Sequence, residues 1–172
     1  MLKRAGQRGL TLVELMIGIA IVGILLAAGV QTYGKWTQNQ QVRVAADSIV
    51  NGMQVARSDA VRINNNVQFV LGTQSAWTVT EVISQSQVQA RSQLEGTRNA
   101  VVSATPAGAT TATFNEMGRV VANADGSAAL TQIDVSNPFG DRPLRITLST
   151  AGSTRMCDPS PLLQAGDPRK CP

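Results

Sequence analysis

Hydrophobic and polar positions change rhythm twice along this chain. Residues 10–30, LTLVELMIGIAIVGILLAAGV, run for 21 positions with a single charge, Glu14. A helix of that length rises about 30 Å, the hydrocarbon thickness of a bilayer. From Val42 the apolar residues recur at helical spacing: Val42, Ala45, Ile49, Met53, Ala56, Ala60 and Ile63. Intervals of three and four make one stripe of an amphipathic helix. Gln38, Gln40, Gln41, Arg43, Asp47 and Arg57 fall largely off that stripe. No proline interrupts residues 10–63, so the two patterns predict one helix of roughly 80 Å. Gly29 and Gly34 are its expected flexible points, because glycine weakens a helix interior by about 1 kcal/mol. Asn64-Asn65-Asn66 supplies the turn chemistry that ends it.

Beyond Asn66 the rhythm is that of strands. Val67–Leu71, Ala76–Ile83, Val101–Ala104, Thr111–Phe114, Gly118–Ala122, Leu130–Val135 and Leu144–Leu148 are short and rich in Val, Ile and Thr. Gly, Asn, Asp and Pro separate them. Asp125-Gly126 is a hairpin-turn dipeptide. Ser84–Gln93, SQSQVQARSQ, is too polar for a core element and is expected to be a surface loop. No internal repeat is evident. The pattern predicts an α+β chain: a long N-terminal helix whose stripe packs against an antiparallel β-sheet head.

Composition adds limits. The 172 residues suit one domain with a modest core. A hydrophobic content of 43% argues against wholesale disorder. The formal charge of +4 points at first to nucleic acid. Lys3, Arg4 and Arg8 all fall in the first eight residues, however; without residues 1–9 the basic count drops from 15 to 12 against 11 acids, a net of +1. There is no histidine, which disfavours most zinc sites and every His-based triad. Cys157 and Cys171 form a lone close pair, which in an exported chain reads as one disulfide. Its loop of about 14 residues is worth roughly 3 kcal/mol in the chain-entropy model.

The N-terminal segment has two plain readings, a secretory signal cut near Ala27-Ala28-Gly29 and a simple single-pass anchor. Glu14 opposes both, because a carboxylate within an apolar span costs roughly 2.5–3.5 kcal/mol on insertion scales. The basic leader, then Gly9-Leu10-Thr11-Leu12-Val13-Glu14, resembles the class III signal of type IV prepilins and pseudopilins. That resemblance implies cleavage between Gly9 and Leu10 by a prepilin peptidase, and N-methylation of Leu10. Phe is usual at the new N-terminus, so Leu10 departs from the pattern. The spacing has a chemical reason. Cleavage leaves an amine on Leu10, and Glu14 lies one turn along. In a filament, Glu14 of one subunit can pair with the Leu10 amine of its neighbour. At 4 Å and an effective dielectric near 20 that attraction is about 4 kcal/mol before desolvation.

The head extends the resemblance. Val55-Ala56-Arg57-Ser58-Asp59-Ala60-Val61, Phe114-Asn115-Glu116-Met117-Gly118-Arg119-Val120 and Gly152-Ser153-Thr154-Arg155-Met156-Cys157-Asp158-Pro159 are similar to segments of the GspH/FimT family of minor pilins and pseudopilins, and Asp167-Pro168-Arg169-Lys170-Cys171 completes a similar tail. The implied division is a leader over 1–9, a transmembrane and filament-core helix over 10–30, its amphipathic half over 31–63, and a type IV pilin head over 64–172. The implied partners are other minor pilins, the major pilin, prepilin peptidase and, before assembly, inner-membrane lipid. By the positive-inside rule the head faces the periplasm.

The resemblance implies a minor pilin of type IV pilus assembly, in the inner-membrane priming or tip complex. The alternative is the H-type pseudopilin of a type II secretion system. A third reading is DNA binding in natural transformation. Some relatives carry a G-R-x-R motif, and here Gly152-Ser153-Thr154-Arg155 keeps its second Arg while Ser153 replaces the first. From Arg142 to Pro172 there are five basic residues against two acidic ones, a net of +3. Arg155, Arg169 and Lys170 are the candidate phosphate contacts, but no aromatic lies among them for base stacking. Asp134, Asp141 and Asp158 make no metal-ligand pattern, and with no Gly-rich phosphate loop or nucleophile elbow the expectation is no enzyme, no cofactor and no small-molecule substrate.

Overall fold

The computed structural model describes residues 11–95, 97–164 and 166–172, without the side chains of residues 28–32. The leader, Gly9 and Leu10 lie outside the described residues. The chain divides into two compact units, one through Lys35 and one from Trp36 to Pro172.

Helix α1 spans Leu12–Ile63, ending at the predicted residue and starting just after Thr11, which is not helical. In the first unit its apolar side chains are exposed, with Ile17 at 54% and Leu25 at 66%. Among the described residues no helix is long and apolar enough to cross a membrane. The described side chains of the apolar run cover residues 11–27 only, short of the about 20 that a span takes.

In the second unit the predicted stripe is the inner face of α1: Val42, Ala45, Ile49, Met53, Ala56 and Ala60 are all buried, and Ile63 is partly buried against them. Asn64 then takes a left-handed conformation, φ 54°, and the Asn65 N–H donates to the Ala60 carbonyl at 3.2 Å. The expected helix stop is therefore an asparagine in the position where αL caps occur.

The head contains two antiparallel sheets. The first has β1 (Val67–Leu71) at its centre, flanked by β2 (Trp77–Glu81) with edge strand β3 (Gln87–Arg91), and by β5 (Thr111–Phe114) with β6 (Val120–Val121). The second runs β4 (Val101–Thr105), β7 (Gln132–Ser136), β8 (Leu144–Leu148), β9 (Thr154–Cys157). Alternation sends Val67, Phe69 and Leu71 inward from β1, and Ile133 and Val135 inward from β7. All these residues join the stripe in one hydrophobic cluster.

Two expectations fail here. Ser84–Gln93 is not simply a loop, because Gln87–Arg91 pairs with β2. An edge strand needs ladder bonds on one side only, so a polar sequence can form it without burying either face. Asp125-Gly126 does lie in a turn, with the Gly126 N–H donating to the Asn123 carbonyl at 3.0 Å. It makes no hairpin, since β6 and β7 belong to different sheets. Buried Asn123 holds this crossover. Its Oδ1 accepts from Thr113 Oγ1 at 2.8 Å, and its amide donates to the carbonyls of Thr111, Ser127 and Ala128.

At the base of the head, Gln38 and Asn39 of α1 bind two loops. Gln38 Oε1 accepts from the side-chain amides of Asn137 and Asn99. Asn39 Oδ1 accepts the backbone N–H groups of Asp141 and Arg142, and its amide donates to Asp141 Oδ1.

The tightest helix–sheet contact is at Gly52. A Cβ there would stand 2.8 Å from Trp77 Cδ2 and 2.9 Å from Phe69 Cε2. The Trp77 and Phe69 rings pack at 6.0 Å between centroids, and Trp77 Nε1 donates to Ser48 Oγ at 2.8 Å. Gly52→Ala gains up to about 1 kcal/mol of helix propensity but overpacks two rings, which costs about 1–3 kcal/mol. We expect a lower urea midpoint with an unchanged slope; a raised midpoint would contradict this packing.

Candidate functional site

The described N-terminus is organised around Thr11 and Glu14. Thr11 precedes the first helical residue and Glu14 stands in the first turn. The Thr11 N–H and Oγ1 donate to Glu14 Oε2 at 3.1 and 3.0 Å, and the Glu14 N–H donates to Thr11 Oγ1 at 3.3 Å. This is a reciprocal capping box, which satisfies backbone donors that a helix start leaves open. Glu14 also lies where the helix dipole favours a negative charge. Sequence reasoning singled out Glu14 by its charge and overlooked Thr11; the T-x-x-E spacing was the signal available.

The C-terminal tail is closed by the Cys157–Cys171 disulfide, across 14 positions and 5.0 Å between Cα atoms. Backbone bonds reinforce it. The Asp158 N–H donates to the Arg169 carbonyl at 2.7 Å, and the Cys171 N–H donates to the Asp158 carbonyl at 3.1 Å. Arg169 reaches Asp167 through Nε at 3.1 Å and Nη2 at 2.8 Å. The Arg169 guanidinium, with its backbone N–H, lowers the Asp167 carboxyl from 3.8 to about 2. Lys170 Nζ donates to the Leu163 carbonyl at 3.0 Å.

These contacts change the picture of a basic tail. Arg145 is also neutralised, bonding Asp134 on the neighbouring strand through Nε at 2.6 Å and Nη2 at 3.0 Å. Asp134 lies outside the window 142–172, which is why the charge count missed it. Of the three candidate DNA contacts, Arg169 and Lys170 are committed to the tail itself. Arg155 is exposed on β9 opposite Thr147, with no ion pair among the described residues.

The other residues of that motif hold the head together. Gly152 has φ +76°, and a Cβ on it would overlap the Gly118 carbonyl oxygen. That same oxygen accepts from Arg57 Nε at 3.1 Å, and the Val120 N–H donates to the Thr150 carbonyl at 3.1 Å. Thus α1, the turn between β5 and β6, and the turn between β8 and β9 meet at one point. Ser153 closes the second turn, its Oγ 2.8 Å from Ser149 Oγ and its N–H donating to Ser149 Oγ at 3.2 Å. The three head segments that carry the family resemblance are brought together here. Among the described residues no cluster of His, Cys, Asp or Glu could hold a metal ion.

Two family descriptions match the chain: a prokaryotic N-terminal methylation motif over residues 4–30 and the type II transport protein GspH over residues 45–152. The second covers well over half of the sequence. The chain belongs to the GspH family. This GspH-family chain carries its GspH head behind a methylation motif. It is 31% identical over 102 residues to a fimbrial protein of Pseudomonas aeruginosa, an alignment covering 53% of this chain and 64% of that protein. The chain thus spans less than two thirds of the curated relatives it matches. Its fold is similar to the crystal structure of the P. aeruginosa type IV minor pilin FimU, with a TM-score of 0.54 at 16% identity over 70% of this chain and 91% of FimU. A second FimU crystal form gives a TM-score of 0.52 at 16% identity over 66% of this chain and 90% of that one. The fold is that of a type IV pilin, with the expected long helix on antiparallel sheet.

The Asp167 carboxyl makes a testable pH effect. Its folded value is depressed, so it stabilises the tail above its ordinary value of 3.8, and this is lost as pH falls through about 2. Amide exchange at Arg169 and Lys170 should accelerate relative to the head core as pH drops through that window. Asp167→Asn should remove the dependence; an unchanged profile would contradict the pairing.

Proposed function

We propose that this chain is a minor pilin that takes part in type IV pilus assembly, in the inner-membrane priming or tip complex, after cleavage between Gly9 and Leu10 and N-methylation of Leu10. One observation carries the reading: a methylation motif and a GspH head lie on the same chain, with Glu14 at the fifth position after Gly9. The likeness to FimU supports the pilus assignment. Before assembly the chain is an inner-membrane protein with its head in the periplasm. The apolar sequence continues to Val30, beyond the described side chains, and the basic leader sets the orientation. Afterwards it resides in the filament, beside other minor pilins and the major pilin.

Glu14 is the assembly residue in this account. In the isolated chain its carboxylate is held by Thr11. A neighbour's Leu10 amine offers a full positive charge, worth about 4 kcal/mol at an effective dielectric near 20 before desolvation. A neutral cap contributes only about 0.5–2 kcal/mol, so docking favours the exchange wherever desolvating the new pair costs less than the difference. Glu14→Ala should leave cleavage intact and reduce co-purification with neighbouring pilins at least about tenfold, a loss of about 1.4 kcal/mol. Thr11→Ala should weaken the helix start yet keep most of the association. Equal losses from both substitutions would sink the charge-pairing role.

The GspH description favours a second reading, an H-type pseudopilin of a type II secretion system. Gene deletion separates the two. Loss of surface pili and twitching with secretion intact supports the pilin; loss of secretion with pili intact overturns it. DNA binding gains little from a tail in which Arg145 and Arg169 are both ion-paired.

A further inference from the structure

The apolar run gives way to Tyr33-Gly34-Lys35-Trp36, a segment unlike the sequence on either side. The chain has one tyrosine and two tryptophans, so two of its three aromatics with a polar tip fall within four residues. Neither is part of the head core. Tyr33 is 68% exposed and Trp36 55%, and Lys35 between them is exposed as well. Trp77, by contrast, is buried. An amphipathic ring with one apolar and one polar end suits the boundary between hydrocarbon and water, and a lysine stem can lie along the apolar side while its ammonium stays in water.

Distance along α1 makes the placement specific. Tyr33 lies 19 residues beyond Glu14 on the same helix, a rise of about 28 Å against a hydrocarbon thickness of about 30 Å. The basic residues Lys3, Arg4 and Arg8 precede Glu14. With Tyr33 at one boundary, Glu14 falls at the other, where a carboxylate can remain hydrated.

We propose that Tyr33–Trp36 is an interfacial anchor that binds the headgroup and carbonyl layer at the outer face of the bilayer. It holds the unassembled subunit at one depth, with Glu14 at the opposite boundary rather than mid-membrane. This rests on the membrane-anchored reading above. The occupant is a phospholipid interface because the segment continues directly from the apolar run and combines aromatic with cationic side chains.

The test uses the full chain reconstituted in phosphatidylcholine–phosphatidylglycerol vesicles, with lipids brominated at shallow or deep acyl positions. Subtracting the Trp36→Phe signal isolates Trp36, and buried Trp77 serves as the internal reference. Shallow bromines should quench Trp36 at least about twofold more than deep ones, leaving Trp77 unquenched. Equal or deeper quenching overturns the proposal. No quenching of Trp36 in chains that float with the vesicles overturns the anchor, assigns the segment to a protein neighbour and leaves membrane insertion standing. Failure to float with vesicles overturns the membrane reading and the anchor together.

Discussion

The structure depends on one helix face being shared by two sheets. Neither sheet buries its inner residues alone. Phe69, Val79 and Phe114 from one, and Ile133, Val135 and Ile146 from the other, join the Val42–Ala60 stripe in a single cluster. Small residues in that stripe set how closely the sheets approach, and Gly52 is the limiting case because two rings occupy the space its side chain would take. Burial of this kind stabilises at roughly 25 cal/mol per Å² of apolar surface. The head is therefore bound to α1 by its own core. Any force on the Val42–Ile63 part of α1 is carried into the head through buried contacts.

Polar contacts fix what the core leaves free. Gln38 and Asn39 bind loops at the base, while Arg57 reaches the Gly118 turn farther along α1. Close approach of Gly152 to that turn ties the second sheet to the first. The disulfide, the Asp158–Arg169 backbone bond and the Asp167–Arg169 ion pair then order a tail with little apolar content.

Much of this was legible in the sequence, for identifiable reasons. The helix was plain because its 3.6-residue period continued without proline to an asparagine run. β1, β5 and β8 were read at their observed limits, since each combines β-branched residues with clear breaks on both sides. The edge strand β3 was lost because no burial selects its residues. The division into two sheets was invisible because a turn dipeptide such as Asp125-Gly126 specifies a local bend and not the sheet that receives the next strand. At the candidate site, Glu14 stood out as a charge in an apolar run. Its cap by Thr11 and the neutralisation of Arg145 by Asp134 were missed because composition windows do not show pairings.

The central claim is that one helix serves both the core of its own head and, after processing, the core of a filament. The most direct measurement is mass spectrometry of the chain recovered from filaments sheared off the cell surface. The account predicts this chain in the sheared fraction, with an N-terminal peptide that begins at Leu10 and carries one added methyl group. Confinement of the chain to the cell envelope with residues 1–9 still attached would contradict it.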